Sequence, residues 1–194
     1  MIKYLTHYYK AGTPPFRSLS ALPEAEAIRI MKELYVDNPI WGRFRDPVWY
    51  LRARKETEAW VRKEFMAKGG RPQEEYPLYM IVESCASLEN NTAGERLDKI
   101  QIPISYFREE DVSFTFIDSM FSYQLGRDKN PEYYQPEYHG KVFLLSEILS
   151  LIKEKGEFTE GWWGKLPADF FPYIEAQVWN HKLLREYFPR NNWI

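Results

Sequence analysis

Residues 100–123, IQIPISYFREEDVSFTFIDSMFSY, and residues 172–179, PYIEAQVW, decide the fold. Both alternate apolar and polar residues with the period of two that marks a half-buried strand, so the two are expected to lie side by side in one sheet. In the later stretch Ile174, Ala176 and Val178 point one way, and Tyr173, Glu175, Gln177 and Trp179 the other. A carboxylate and a carboxamide framed by aromatics on one strand face make Glu175 and Gln177 the leading site candidates. In the earlier stretch Ile100, Ile102 and Ile104 alternate, a polar connection follows at 108–111, and Val112, Phe114 and Phe116 resume the pattern. That reads as a hairpin at the centre of the fold. Pro103, which offers no N–H to a ladder, puts its first arm at a sheet edge or an irregular point.

Outward from this pair, residues 2–9 and 77–83 read as further strands, rich in Tyr, Leu, Ile and Val. Pro23 opens a helix with Glu24 and Glu26 in its first turn, where the helix dipole favours anions. Asp46-Pro47 caps and starts a long helix that Gly69-Gly70 should stop near Lys68. Residues 88–96 read as an exposed turn, and 124–140 as a long polar connection suited to binding or disorder. A strand at 141–145, a helix capped by Ser146, an aromatic loop over 159–172 and a short helix near 182–187 complete the chain. Helices and strands alternate irregularly and no βαβ series emerges. The expectation is an α+β fold: one domain over residues 1–194, with a mixed, twisted sheet and flanking helices.

Composition narrows the function classes. A formal net charge of −2 excludes a bulk field drawing the protein to nucleic acid or membrane, so only a local basic patch could do so. Cys85 is the single cysteine, which leaves no internal disulfide and fits a reducing compartment. The opening MIKYLTHYYK has no apolar signal core, and no run approaches the roughly 20 apolar residues of a membrane span. We expect a soluble cytoplasmic protein. There is no GxGxxG, GxxxxGK[ST], HExxH, CxxC or GxSxG pattern, and His7, His139 and His181 lie far apart, so no metal is expected. Aromatic residues reach 17%, enough to serve both a core and a stacking surface. Arg43, Arg45, Arg52, Arg54, Lys55, Arg62 and Lys63 crowd the long helix, but Glu56, Glu58 and Glu64 interleave with them as on a solvated helix face.

What survives is a split set: His7 on the first strand, Tyr106 and Tyr123 bordering the hairpin, and Glu175 on the late strand. Each also has a structural reading, as a backbone-bonded histidine, core-margin tyrosines and an ion-paired glutamate. The chain resembles a family of soluble bacterial proteins with the layout HYY…PFRSLSxLP…FTxxDSM…YIEAQVW, to which no activity attaches. More remotely, the order of elements is similar to the DNA-modifying ADP-ribosyltransferase toxins: Thr6-His7, residues 102–107, residues 116–119, and Glu175 in IEAQVW stand where those proteins carry their motifs. The resemblance implies an NAD-dependent glycosyl transferase in which His7 holds the nicotinamide ribose and a tyrosine (Tyr106 or Tyr123) stacks on the nicotinamide ring. Gln177 would assist in binding, and Glu175 would stabilise the oxocarbenium-like centre, where a preorganised anion is most effective. Its acceptor would be a protein or a nucleic acid. The chain departs from that pattern in lacking the arginine-containing nucleotide motif and in carrying Tyr173 two residues before Glu175. The alternative is a non-enzymatic binding or immunity-like module that grips a protein partner through aromatic loops at 133–138 and 162–171. Nucleic-acid binding through residues 43–54 is the third reading.

Overall fold

A computed structural model describes residues 2–35, 41–90, 96–156, 162–167 and 170–188. Five strands form one sheet: β1 (Tyr4–Lys10), β2 (Leu78–Val82), β3 (Leu97–Pro103), β4 (Val112–Phe116) and β5 (Ile174–Val178). Six helices accompany them among the described residues: α1 (Glu24–Leu34), α2 (Pro47–Ala67), α3 (Ala86–Asn90), α4 (Ser119–Asp128), α5 (Leu145–Lys155) and α6 (His181–Tyr187). The fold is therefore α+β, a single sheet with flanking helices. The spatial order is β3-β1-β2-β5-β4, and every strand pair is antiparallel. The parallel component expected of a mixed sheet shrinks to the isolated bridge between Ile117 and Ile174.

The two opening stretches do meet: Val112 through Phe116 run against Val178 through Ile174. The hairpin, however, does not form. β3 and β4 occupy opposite edges of the sheet, and residues 104–111 carry the chain across it. Four inter-strand steps of about 4.8 Å make roughly 19 Å, a distance that eight residues span with ease. Alternation identified both strands but not their partners: β3 pairs over seven residues with β1, and Pro103 lies on an edge as its missing N–H requires.

The long helix begins as its sequence dictates. Asp46 accepts a hydrogen bond from the Trp49 N–H (3.0 Å), Pro47 sits in the first turn, and Gly69, at φ 98°, ends the run. Two connections prove more ordered than expected. Residues 119–128 are helical, capped by Asp118, whose side chain accepts from the Phe121 N–H (2.9 Å). The 139–140 backbone packs so closely on this helix that a Cβ on Gly126 would stand 2.3 Å from Gly140 Cα. Residues 86–90 form the short α3, while 91–95 lie outside the described residues. The strand expected at 141–145 is reduced to the Phe114–Phe143 bridge, and Ser146, instead of capping α5, is held by Glu109.

Ladder partners share a face, so the register sorts the sheet into two. Leu5, Ile102, Met80, Ala176, Val178 and Phe114 form the apolar face and pack with Ile148 and Ile152 of α5 and Leu184 of α6. The opposite face carries Thr6, Tyr79, Ile81, Glu175, Gln177, Ser113 and Thr115. Antiparallel sheets often leave such a face to water. Here α2 covers it: Tyr79 Oη donates to Glu58 Oε1 (2.9 Å), and Trp179 packs with Val61 and Phe65. No helix among the described residues is long and apolar enough to cross a membrane.

Candidate active site

Roofing a polar strand face creates an obligation, because buried donors and acceptors left without partners cost about 1–3 kcal/mol each. The residues meet it with a continuous chain. Trp179 Nε1 donates to Ser113 Oγ (2.9 Å), and Ser113 Oγ donates to Gln177 Oε1 (2.9 Å). Gln177 Nε2 then donates both to Thr115 Oγ1 (3.0 Å) and to Glu175 Oε2 (3.1 Å). Thr115 Oγ1 closes its branch on the Ile117 carbonyl (3.1 Å). Gln177 is fully buried with both ends of its amide committed, so it orients Glu175 and is no ligand-binding group.

The other branch ends at the N-terminus of α4. Glu175 Oε2 accepts a second bond from the Ser119 N–H (2.8 Å). Asp118, the capping residue, stands beside it, so two carboxyls share one helix N-terminus. Ile117, at the turn between β4 and α4, has φ 64°, a conformation that β-branched residues avoid. Such strain, on the order of 1–3 kcal/mol, persists only where the surroundings impose it. Here it aims Asp118 and Ser119 toward the end of β5.

Electrostatics follow from this crowding. Desolvation and the nearby Asp118 carboxylate raise Glu175 from 4.5 to about 7, against the pull of Ser119 and Gln177. Asp118 is raised too, by desolvation, while the Phe121 N–H and the Arg43 guanidinium favour its charge. Asp118 is therefore the partner that ionises first, and Glu175 the one that keeps a proton near neutrality. With Oε2 already accepting two hydrogen bonds, that proton belongs on Oε1. Tyr173 sits against the pair, its hydroxyl pushed well above the ordinary range by burial and by both carboxyls. Arg43 supplies the cation, its guanidinium lying over the rings of Phe44 (5.1 Å) and Trp41 (5.5 Å). Asp118, Tyr173 and Glu175 all keep partial contact with solvent, and Arg43 is exposed.

The expected constellation does not assemble. His7 lies on the apolar face, opposite Glu175, with β2 between their strands. Its ring is fully engaged: Nε2 accepts from the Phe16 N–H (2.9 Å), which leaves Nδ1 to donate to the Tyr79 carbonyl (2.8 Å). Stacked on Phe16 at 4.6 Å, it is a buried neutral imidazole whose pKa burial lowers to about 4. Tyr106 lies in the turn after β3, edge-on to Tyr187, and packs against the apolar core. Tyr123 lies where α4 meets α2, its hydroxyl donating to Glu56 (3.1 Å) and its ring close to Trp60. Of the expected set only Glu175 and Gln177 come together. The structure adds Asp118 and Ser119, present before only within the 116–119 segment of the resemblance, Tyr173, placed on the Glu175 face without a role, and Arg43, read only as part of a basic helix. The only local signal was Asp118-Ser119 at a strand end, a helix-cap pattern.

The aromatic loops likewise turn inward. Trp162 and Trp163 are 3% and 8% exposed and pack on Phe116, as does Tyr138. Residues 157–161 and 168–169 of that loop lie outside the described residues. Arg54 and Glu58, expected on a solvated face, point inward as an ion pair (3.0 Å) beneath Tyr79. No group of three or more His, Cys, Asp or Glu able to hold a metal occurs among the described residues. Comparison with protein-family models, curated proteins and solved structures returns no match.

Proposed function

We propose that the chain is an enzyme acting at glycosyl bonds through the Glu175–Asp118 pair. The observation that carries this is the convergence of two carboxyls on one strained helix start, where burial and the neighbouring Asp118 carboxylate push the Glu175 carboxyl up. A division of roles between two such carboxyls is what acid–base chemistry at an anomeric carbon requires. Glu175 Oε1 gives its proton to the departing oxygen or nitrogen as the bond to the anomeric carbon breaks. The Asp118 carboxylate faces the positive charge that develops there, and an incoming hydroxyl adds to the carbon while surrendering its proton to the pair. Tyr173 and Arg43, which interact with the pair electrostatically, would orient the sugar. The residues expected to hold NAD do not fit a site built on Glu175, since His7 and Tyr106 lie on the other side of the sheet. NAD is one donor among those to be tried.

The test is a hydrolysis and transfer panel of nitrophenyl glycosides, nucleosides and NAD, run with the wild type, Glu175→Gln and Asp118→Asn. Loss of a general acid of this kind should lower the rate about 10²–10⁴-fold in Glu175→Gln, with the fold intact. Wild-type activity should fall as pH rises past 7, where Glu175 loses its proton. In Asp118→Asn that fall should begin at lower pH, because the like charge is gone. Silence of the whole panel with folded protein overturns the enzyme reading and leaves a binding role. The surface for that role is the outer face of α2, where Val48, Trp49 and Met66 are 56%, 62% and 49% exposed. Lys55, Ala59, Lys63 and Met66 there line a groove of about 920 Å³ against residues 73–76.

A further inference from the structure

Three aromatic rings converge on one ammonium at the far end of α5. Lys155 Nζ lies 4.3 Å from the Tyr138 ring centroid, 5.1 Å from that of Trp162 and 5.9 Å from that of Phe116. Phe116 stacks on Tyr138 at 4.4 Å and lies nearly parallel to Trp162, with an interplanar angle of 12°. The rings come from three separated parts of the chain: the end of β4, the turns after α4, and the loop before β5. Lys155 itself is exposed, at the last position of α5 before Gly156. Its ammonium makes no ion pair among the described residues.

A primary ammonium is a poor fit for such surroundings. It is compact and strongly hydrated, and ring faces offer it none of the hydrogen-bond acceptors it prefers. Rings grouped in this way suit a cation that carries methyl groups and little hydration, held by dispersion and by the ring quadrupoles. Lys155 can leave without disturbing the core, because only its side-chain torsions need change and it terminates its helix. From this geometry we propose that Phe116, Tyr138 and Trp162 form a binding site for a quaternary ammonium group, and that Lys155 occupies it in the absence of ligand. The site is separate from the carboxyl pair: Phe116 is on the apolar face of the sheet and Glu175 on the polar one.

The experiment follows the Trp162 indole N–H resonance, assigned with Trp162→Phe, during titration with tetramethylammonium chloride. Sodium chloride at equal ionic strength is the control. Lys155→Ala should bind saturably and about tenfold more tightly than the wild type, since removing the resident cation frees interactions worth a factor of that order. Tyr138→Leu, combined with Lys155→Ala and shown to be folded by its melting curve, should lose the binding. Two further arms identify the source of the group: choline, and a peptide bearing trimethyl-lysine set against its unmethylated form. Preference for either one supports the site and names its ligand class. No saturable shift in Lys155→Ala, or a shift that ammonium chloride reproduces equally well, overturns the proposal.

Discussion

Arg54→Ala should cost about 3–5 kcal/mol of folding stability, measured by urea unfolding, because it strands a buried carboxylate. Glu58 is 1% exposed; its Oε1 takes both the Arg54 Nε–H and the Tyr79 hydroxyl, and its Oε2 has no hydrogen-bond partner among the described residues. Arg54 meanwhile reaches Ser20 Oγ (3.2 Å) and Tyr50 Oη (3.1 Å) and lies over the Tyr79 ring, so one guanidinium ties α2 to β2 and to the turn before α1. Replacing both partners, Arg54→Met with Glu58→Met, should restore most of the loss, since an apolar pair leaves no charge uncompensated. A double variant as unstable as Arg54→Ala would show that the loss comes from packing and not from the stranded charge.

Glu175→Gln should stabilise the protein at pH 8 and leave it nearly unchanged at pH 4. Below pH 4.5 the carboxyl is protonated in both the folded and unfolded chains, and its raised pKa contributes nothing. Between 4.5 and about 7 the unfolded chain ionises while the folded one keeps its proton, so stability falls as pH rises. Above that window the deficit is complete, up to roughly 3 kcal/mol at 1.36 kcal/mol per pH unit. The amide keeps an oxygen to accept from Ser119 and Gln177, so the substitution removes the charge and little else. His7 and His139 slope the other way. Burial holds both near 4, below the usual 6.5, so their contribution is lost as pH falls from 6.5 toward 4. Those terms cancel in the difference between wild type and variant, which isolates the carboxyl. A variant destabilised across the whole range would make Glu175 a structural acceptor alone.

Much of this frame was legible in the residues. The alternation at 112–116 and 174–178 located two strands that do pair, Asp46-Pro47 and Gly69 bounded α2, and Pro103 marked an edge. Glu175 and Gln177 were legible together because a spacing of two places them on one strand face. The parts that were not legible depend on strand order. With β2 inserted between β1 and β5, whether His7 faces Glu175 is decided by two registers, and neither is written in the alternation of a single strand. The same order separates β3 from β4 and dissolves the hairpin. Helix α4 was hidden because its aromatics continue the pattern of the strand before it, leaving Asp118 as the one cue. Tyr173 was legible on the Glu175 face by the same spacing of two, whereas Asp118 reaches Glu175, and Arg43 reaches Asp118 and Tyr173, only through tertiary approach, which no local spacing encodes. The aromatic loops misled for a different reason: Trp162 and Trp163 sit among glycines and prolines, yet they close the apolar core over Phe116.

The central claim is that Glu175 holds a proton near neutrality because its site is poorly solvated and because Asp118 stands beside it. It is tested most directly by titrating the Glu175 carboxyl carbon by NMR in protein labelled with ¹³C-glutamate, the signal assigned with Glu175→Gln. The expected result is a midpoint near 7 that drops toward the ordinary carboxylate range in Asp118→Asn. A wild-type midpoint near 4.5, or one that Asp118→Asn leaves unmoved, would contradict it.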